Sequence, residues 1–300
     1  MGCKLIVAGL SGANGLDLRL TQLLNTGLIR VESKSFPDGE TYIRFHGSVK
    51  DETLVILQSL YPNQDRKLFE LLLGVDTAKD LGCKEVIVVT PYLAYSRQDR
   101  RFLDGEPISI KTVLKLLSSV GADYLITVDV HKVESLNYFY GRALNLDPTP
   151  LFAGVLRQVV REAVIIAPDQ GALQKASELS QLIPNSEYVV FRKYRDRITG
   201  KVSHEAVDVD VVGKDVIIID DIVSTGTTVA NIASYVKNKG ASKTYVVCSH
   251  ALFVGDALNK VISSGVSKIY ALNTVVVPEG VEVVDVTPLI SEAIKSLIRS

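Results

Sequence analysis

Eight short aliphatic and β-branched runs, Lys4–Ala8, Leu54–Gln58, Glu85–Thr90, Tyr124–Val128, Val164–Ala167, Val216–Asp220, Thr244–Ser249 and Lys268–Leu272, are continuously rather than alternately apolar. A strand apolar on both faces has to be covered on both, so sheets with one solvated side are excluded. Between several of these runs lie Arg66–Leu81, Ile108–Val120, Ala172–Leu182 and Thr227–Lys239, whose apolar residues recur at helical spacing. Strands alternating with helices in this way predict parallel sheets with helices on both sides. Two stretches break the pattern, Phe36–Phe45 and Tyr188–Val207, whose short, polar-punctuated strands read as hairpin flaps. The expected fold class is therefore α/β: two similar doubly wound domains, each with a central, mostly parallel sheet flanked by helices, plus flap hairpins.

At 300 residues the chain has room for two domains of ordinary size. The turn-rich Asn145-Leu-Asp-Pro-Thr-Pro150 divides them, giving domains of residues 1–146 and 147–300. Asp123-Tyr-Leu-Ile-Thr-Val-Asp-Val echoes Asp215-Val-Ile-Ile-Ile-Asp-Asp-Ile. The echo fits an internal duplication, and equally the common appearance of central α/β strands.

Charge balance narrows the partners. Lysine and arginine number 33 against 34 aspartates and glutamates, so no overall positive field draws the chain to nucleic acid or anionic membranes, and phosphate binding has to be local. Neither nucleic acid nor membrane is expected as a partner. Cys3, Cys83 and Cys248 are odd in number and far apart, which points to a reducing cytoplasm rather than a disulfide framework or a zinc site. The opening Met-Gly-Cys-Lys-Leu-Ile-Val-Ala reads straight into a strand and lacks the features of a signal peptide. No apolar stretch reaches the roughly 18 residues needed to span a bilayer.

The most informative segment is Val216-Ile-Ile-Ile-Asp220-Asp221-Ile-Val-Ser224-Thr225-Gly226-Thr227-Thr228, followed by a helix. A buried strand delivers two carboxylates, and a loop of small residues leads into a helix N-terminus. Backbone N–H groups, the hydroxyls of Ser224, Thr225, Thr227 and Thr228, and the helix dipole suit a phosphate group. The acids just upstream suit the vicinal hydroxyls of a pentose. The plainer alternative is a helix capped by Ser224 or Thr225, with Asp220 and Asp221 as exposed loop acids.

This run resembles the diphosphoribosyl-binding motif shared by type I phosphoribosyltransferases and ribose-phosphate diphosphokinases. Ser224 stands where an aspartate is frequent and Thr227 where a second glycine is frequent. Phe36-Pro37-Asp38-Gly39-Glu40, by itself a good β-turn, resembles the adenine-contacting flap of the diphosphokinases. Tyr95-Ser-Arg97-Gln98-Asp99-Arg100-Arg101 resembles their arginine-bearing ATP loop, and guanidinium forks match phosphate oxygens. Asp129-Val-His131 is similar to their Asp-Leu-His element. Ala167-Pro168-Asp169-Gln170-Gly171 is similar to their Ser-Pro-Asp-x-Gly-Gly, with Ala167 in place of the serine and Ala172 of the second glycine. Phe191-Arg192-Lys193-Tyr194-Arg195, followed by Asp196–Gly200, resembles the family's catalytic flexible loop.

The resemblance runs the length of the chain in one order and implies a phosphoribosyltransferase-like fold for both domains. It further implies a Mg²⁺-dependent diphosphokinase acting on ATP and ribose 5-phosphate. ATP would be held by Phe36, Asp38, Gly39, Glu40, Arg97, Gln98, Asp99 and His131. Ribose 5-phosphate would be held by Asp220, Asp221, Ser224, Thr225, Gly226, Thr227, Thr228 and Arg195. Mg²⁺ would lie at His131 and Asp169, and Lys193 and Arg195 would be catalytic. A homo-oligomer, at least a dimer, is implied by the family's habit of sharing the adenine flap between subunits. The rival readings are a type I phosphoribosyltransferase, which does not need the Phe36–Glu40 and Arg97–Arg101 segments, and a non-catalytic regulatory subunit of the same fold.

Overall fold

The computed structural model describes residues 4–191, 193–195, 202–204 and 210–299. They form two compact units: the residues up to Leu146 together with those from Val286 onward, and Asp147–Asp285.

In the first unit the elements run β1 (Leu5–Gly9), α1 (Leu16–Leu24), β2 (Gly27–Ile29), β3 (Val31–Ser35), β4 (Thr41–Phe45), β5 (Thr53–Leu57), α2 (Gln64–Asp80), β6 (Glu85–Thr90), α3 (Ser109–Ser119), β7 (Tyr124–Val128) and β8 (Arg142–Leu146). In the second they run α4 (Thr149–Leu156), β9 (Ala163–Ala167), α5 (Leu173–Leu182), β10 (Ser186–Val190), β11 (Lys193–Arg195), β12 (Val202–His204), β13 (Asp215–Val223), α6 (Thr227–Asn238), β14 (Thr244–Ala251), α7 (Ala257–Ser263), β15 (Lys268–Leu272) and β16 (Glu282–Val284). A last helix, α8 (Thr287–Arg299), belongs to the first unit.

Each unit is built on a six-stranded sheet, ordered β2-β1-β5-β6-β7-β8 in the first and β10-β9-β13-β14-β15-β16 in the second. Every neighbouring pair in both is parallel. Burial explains why the runs are continuously apolar. Leu54, Val55, Ile56 and Leu57 of β5 are inaccessible to solvent, as are Val216, Ile217 and Ile218 of β13. Each such side chain contributes about 1.5–3 kcal/mol relative to exposure. Helix α3 shows how the flanking layer docks: Ile110, Val113, Leu114 and Leu117 fall on one buried stripe.

If the main-sheet strands are counted within each unit, the order is the same in both, second-first-third-fourth-fifth-sixth. Each unit also inserts an antiparallel hairpin between its second and third strands, β3–β4 and β11–β12. The two halves therefore repeat one topology. The sequence echo does not mark that repeat, however. It pairs β7, a fifth strand, with β13, a third strand, and reflects only that both are central and buried.

Three further differences from the sequence reading have physical causes. Residues 286–299 lie with the first unit, not with 147–285, because α8 packs on α1 and β8. Tyr188–Val190, read as the start of a flap, belongs instead to β10, a parallel strand on β9; as an edge strand β10 is half-exposed and tolerates Ser186 and Glu187. Strand β13 runs on to Val223, past the Asp220 at which the sequence reading ended it, so Asp221 as well as Asp220 lies within the strand, against the plainer alternative of exposed loop acids. Among the described residues no helix is long and apolar enough to cross a membrane.

Candidate active site

In a parallel sheet every strand ends at the same edge, and the loops that leave that edge meet there. In the second unit this edge gathers Asp169, just after β9, and the end of β13 with the loop behind it. The register pairs Ile166 with Ile218, which sets Asp169 and the Asp220–Asp221 pair at similar heights on adjacent strands.

The two aspartates fold back on the backbone. Oδ1 of Asp220 accepts from the N–H of Asp221 at 3.0 Å, and Oδ1 of Asp221 from that of Ile222 at 2.8 Å. Asp221 is only 9% exposed. Burial, reinforced by the charges of Asp221 and Asp169, pushes the Asp220 carboxyl well above the usual range, and Lys175 opposes this. Between the ordinary carboxylate range and that raised value the folded chain therefore binds more protons at this carboxyl than the unfolded chain does. Stability attributable to Asp220 falls as pH rises from the ordinary carboxylate range toward the raised value. Asp220→Asn keeps the acceptor for the Asp221 N–H and removes the repulsion. It is expected to stabilise the ligand-free protein by about 1–2 kcal/mol, roughly 2–6 °C in Tm, and to flatten that pH dependence in thermal melts.

Past Val223 the chain turns through Ser224, Thr225 and Gly226 into α6. Gly226 is the N-cap residue at φ 67°, a left-handed conformation, and no side chain caps the first turn. That leaves the helix N-terminus suited to an anion. A Cβ at position 226 would lie 2.8 Å from Cγ2 of Val261 and 3.0 Å from the carbonyl oxygen of Ala257, so close packing of α7 also requires glycine here. Asp169 is exposed, with Oδ1 accepting from the N–H of Gly171 at 2.8 Å.

In the first unit, the loop after β6 carries the arginine cluster. Tyr95, at φ 67°, donates its hydroxyl to Asp65 at the start of α2. Gln98 is anchored to α3: Oε1 accepts from the Ser109 hydroxyl at 2.5 Å. Arg101 donates Nε–H to the Glu106 carbonyl at 2.9 Å, Glu106 accepts from the N–H groups of Phe102 and Leu103, and Arg100 stacks on Phe102. Arg97 is exposed and Asp99 half-buried. Asp129, at φ 49°, follows β7 and directs the chain to an exposed His131; Asn145 accepts from the Val130 N–H at 2.8 Å.

The tip of the β3–β4 hairpin is Phe36 to Glu40, all exposed. It is closed by Phe36 N–H to the Glu40 carbonyl at 2.8 Å, with Gly39 at φ 97°. The Phe36 ring meets Tyr42 edge-on at 5.6 Å. Lys193 and Arg195 lie on β11, paired with His204 and Val202. Their side chains, Arg192 and Asp196–Gly200 lie outside the described residues.

Among the described residues, no group of three or more His, Cys, Asp or Glu side chains is arranged to hold a metal by itself. The acidic edge of the second unit still fits a hard cation by the chemistry of its donors, since Asp169 and the Asp220–Asp221 pair offer carboxylate oxygens from adjacent strands. Mg²⁺ typically takes one or two carboxylates and fills its other positions with water and substrate oxygens.

Sequence reasoning missed Asp65, Glu106 and Ser109, which fix the arginine loop, and Lys260, which reaches the phosphate loop. Asp65 and Lys260 are remote in sequence from the loops they hold, Glu106 closes a turn only three to five residues long, and of the four only Ser109 fell within a segment read as regular structure.

Residues 5–121 match the N-terminal domain of ribose phosphate pyrophosphokinase, and residues 151–282 match the phosphoribosyl transferase domain. A ribose-phosphate pyrophosphokinase of Sulfurisphaera tokodaii is 42% identical over 97% of this chain and 100% of its own length. The chain belongs to the ribose-phosphate pyrophosphokinase family. The family's enzyme from Methanothermobacter thermautotrophicus is 39% identical, again over 97% of this chain and all of its own. The phosphoribosylpyrophosphate synthetase of Mycobacterium smegmatis superposes with a TM-score of 0.91 over 99% of both chains at 23% identity, a likeness of fold. A family match in both units accounts for the N-terminal half that a simple phosphoribosyltransferase reading leaves unexplained.

Proposed function

We propose that the chain transfers the β,γ-diphosphoryl group of Mg·ATP to ribose 5-phosphate. O1 of the sugar attacks the β-phosphorus, a new O1–P bond forms, and the bond to the α,β-bridging oxygen breaks. The products are 5-phosphoribosyl 1-diphosphate and AMP. The observation that carries this reading is the second unit's edge. A carboxylate pair on β13 is followed within a few residues by an uncapped helix N-terminus, in a chain whose first unit matches the family's own N-terminal domain.

Such a transfer depends mainly on alignment and charge neutralisation. In this reading Ser224 to Thr228 bind the 5-phosphate, and Asp220 and Asp221 orient the ribose hydroxyls. In the first unit Phe36 stacks on adenine, and Asp38, Gly39 and Glu40 accept from its amino group or shape the turn. Arg97, Asp99 and the amide of Gln98 hold the triphosphate loop in register, Gln98 keeping its NH₂ for that purpose because Ser109 occupies its oxygen. His131 and Asp169 would hold Mg²⁺, which when bound neutralises the non-bridging phosphate oxygens. Lys193 and Arg195 would supply positive charge to the transferring group.

We further place the enzyme in a reducing cytoplasm, a reading supported by Cys83 and Cys248, which are buried and form no disulfide. We read it as at least a homodimer, supported by the exposed apolar tip at Phe36. Light scattering that gave a monomer at assay concentration would overturn the dimer.

The deciding assay supplies the full chain with Mg·ATP and ribose 5-phosphate and measures AMP and the diphosphorylated sugar together. No AMP from folded protein favours the regulatory reading. Conversion only with a nucleobase and the activated sugar favours the transferase. Lys193→Ala is expected to lower kcat roughly 10³-fold with both KM values within about threefold; a variant that keeps wild-type kcat removes Lys193 from the mechanism.

A further inference from the structure

Residues 220–228 contain two aspartates and no basic residue, although the anion proposed to bind there is a phosphate. The structure brings positive charge to this loop from α7. Nζ of Lys260 lies 3.3 Å from the carbonyl oxygen of Thr225 and 3.4 Å from the hydroxyl oxygen of Thr227. Lys260 itself is exposed, so it is not there to fill the core.

It joins a backbone clamp. The carbonyl of Val223 accepts from the N–H groups of Leu252 and Phe253, each at 3.1 Å, and that of Ser224 from Val254 at 3.0 Å. Three successive carbonyls, 223 to 225, are thus held by the segment running from the end of β14 into α7. In a trans peptide the N–H points opposite to the C=O. Engaging these oxygens therefore turns the following N–H groups, those of Ser224, Thr225 and Gly226, away from the clamp. Lys260 is the side-chain member and fixes the Thr225–Gly226 peptide, the one with the freest backbone.

The second contact has a separate consequence. An ammonium group only donates, so the Thr227 oxygen must accept from it. The hydroxyl hydrogen is then left to donate elsewhere, which is the polarity an anion requires.

We infer that Lys260 is a positioning residue for the phosphate loop, setting the Gly226 N–H and the Thr227 hydroxyl as donors to the 5-phosphate of the sugar substrate. The inference rests on the proposed binding of ribose 5-phosphate at this loop. It predicts a defect confined to one substrate and shared with Thr227.

The test uses the full chain as wild type, Lys260→Met, Lys260→Arg, Thr227→Val and the Met/Val double variant. Kinetics give the KM of each substrate, and calorimetry gives the Kd of ribose 5-phosphate without turnover. Lys260→Met is expected to raise KM and Kd for ribose 5-phosphate roughly tenfold, the scale of one lost charge-assisted hydrogen bond, with KM for ATP and Tm nearly unchanged. Lys260→Arg should recover most of that loss. In the Thr227→Val background, Lys260→Met should cost clearly less than it does alone.

Unchanged ribose 5-phosphate affinity in Lys260→Met overturns the inference, as does an equal rise in both KM values or full additivity with Thr227→Val. Failure of the underlying function reads out differently. If wild type binds ribose 5-phosphate but releases no AMP, the diphosphokinase reading fails while the Kd comparison still decides the role of Lys260. If wild type does not bind ribose 5-phosphate at all, both fall.

Discussion

Gly226→Val is expected to weaken ribose 5-phosphate binding by roughly 100-fold or more while leaving the KM for ATP within about threefold. Two costs combine. A β-branched residue at φ 67° is strained by about 1–3 kcal/mol. The new Cβ would also meet Cγ2 of Val261 at 2.8 Å and the Ala257 carbonyl at 3.0 Å, and the second of these is backbone that cannot swing aside. The loop can relieve both only by leaving its anion-binding conformation. Gly226→Ala should show the same selectivity with a smaller loss. Calorimetry with ribose 5-phosphate checks the effect, and a valine variant that binds within a few-fold of wild type would show that the left-handed turn is dispensable.

The second large effect concerns stability in the first unit. Glu70 of α2 is completely buried, yet it is well supplied with donors. It accepts from the Ser11 N–H at 2.9 Å, from the Ser11 hydroxyl, and from Nε2 of Gln58 at 3.1 Å. Gln58 in turn accepts from the Gly12 N–H at 2.6 Å and donates to the Lys67 carbonyl at 3.2 Å. Burial lowers the Lys67 pKa, and the charge of Glu70 partly restores it. Glu70→Ala would strand the Gln58 donor, deprive Lys67 of a nearby counter-charge and loosen the turn from β1 to α1.

The expected loss is about 3 kcal/mol, roughly 6–12 °C in Tm. Glu70→Gln should lose less, because shape is kept and only the charge and one acceptor oxygen go. Thermal or urea unfolding of the three proteins measures this, and an alanine variant as stable as wild type would mean that water replaces the carboxylate at little cost.

How much of this could be read from the chain depends on what each signal reports. The buried runs were legible because a strand covered on both faces leaves a continuous apolar stretch, and Glu85–Thr90, Tyr124–Val128 and Lys268–Leu272 coincide with β6, β7 and β15. Edge strands carry no such stretch. Strand β2 has only three residues, and β8 begins with an exposed Arg142, so neither stands out from its surroundings. The amphipathic pattern of Thr287–Arg299 reports that one face is buried, but not which core receives it.

At the candidate site, the residue types and their order were legible in the loop from Asp220 to Thr228. The partners that hold them were not. Nothing in Asp256-Ala-Leu-Asn-Lys260 announces that its lysine reaches Thr225 and Thr227, since the contact spans more than thirty residues of sequence. Likewise Gln98 reads as a free ligand-binding amide until α3 is seen to claim its oxygen.

The placement of α8 bears on how the polypeptide matures. The second unit occupies one unbroken stretch, Asp147–Asp285, whereas the first is written in two pieces on either side of it. During synthesis the later-born unit therefore has its whole sequence available before the earlier one does. The amino-terminal half must wait, with the surface of α1 that α8 covers still open, until the final helix has emerged from the ribosome.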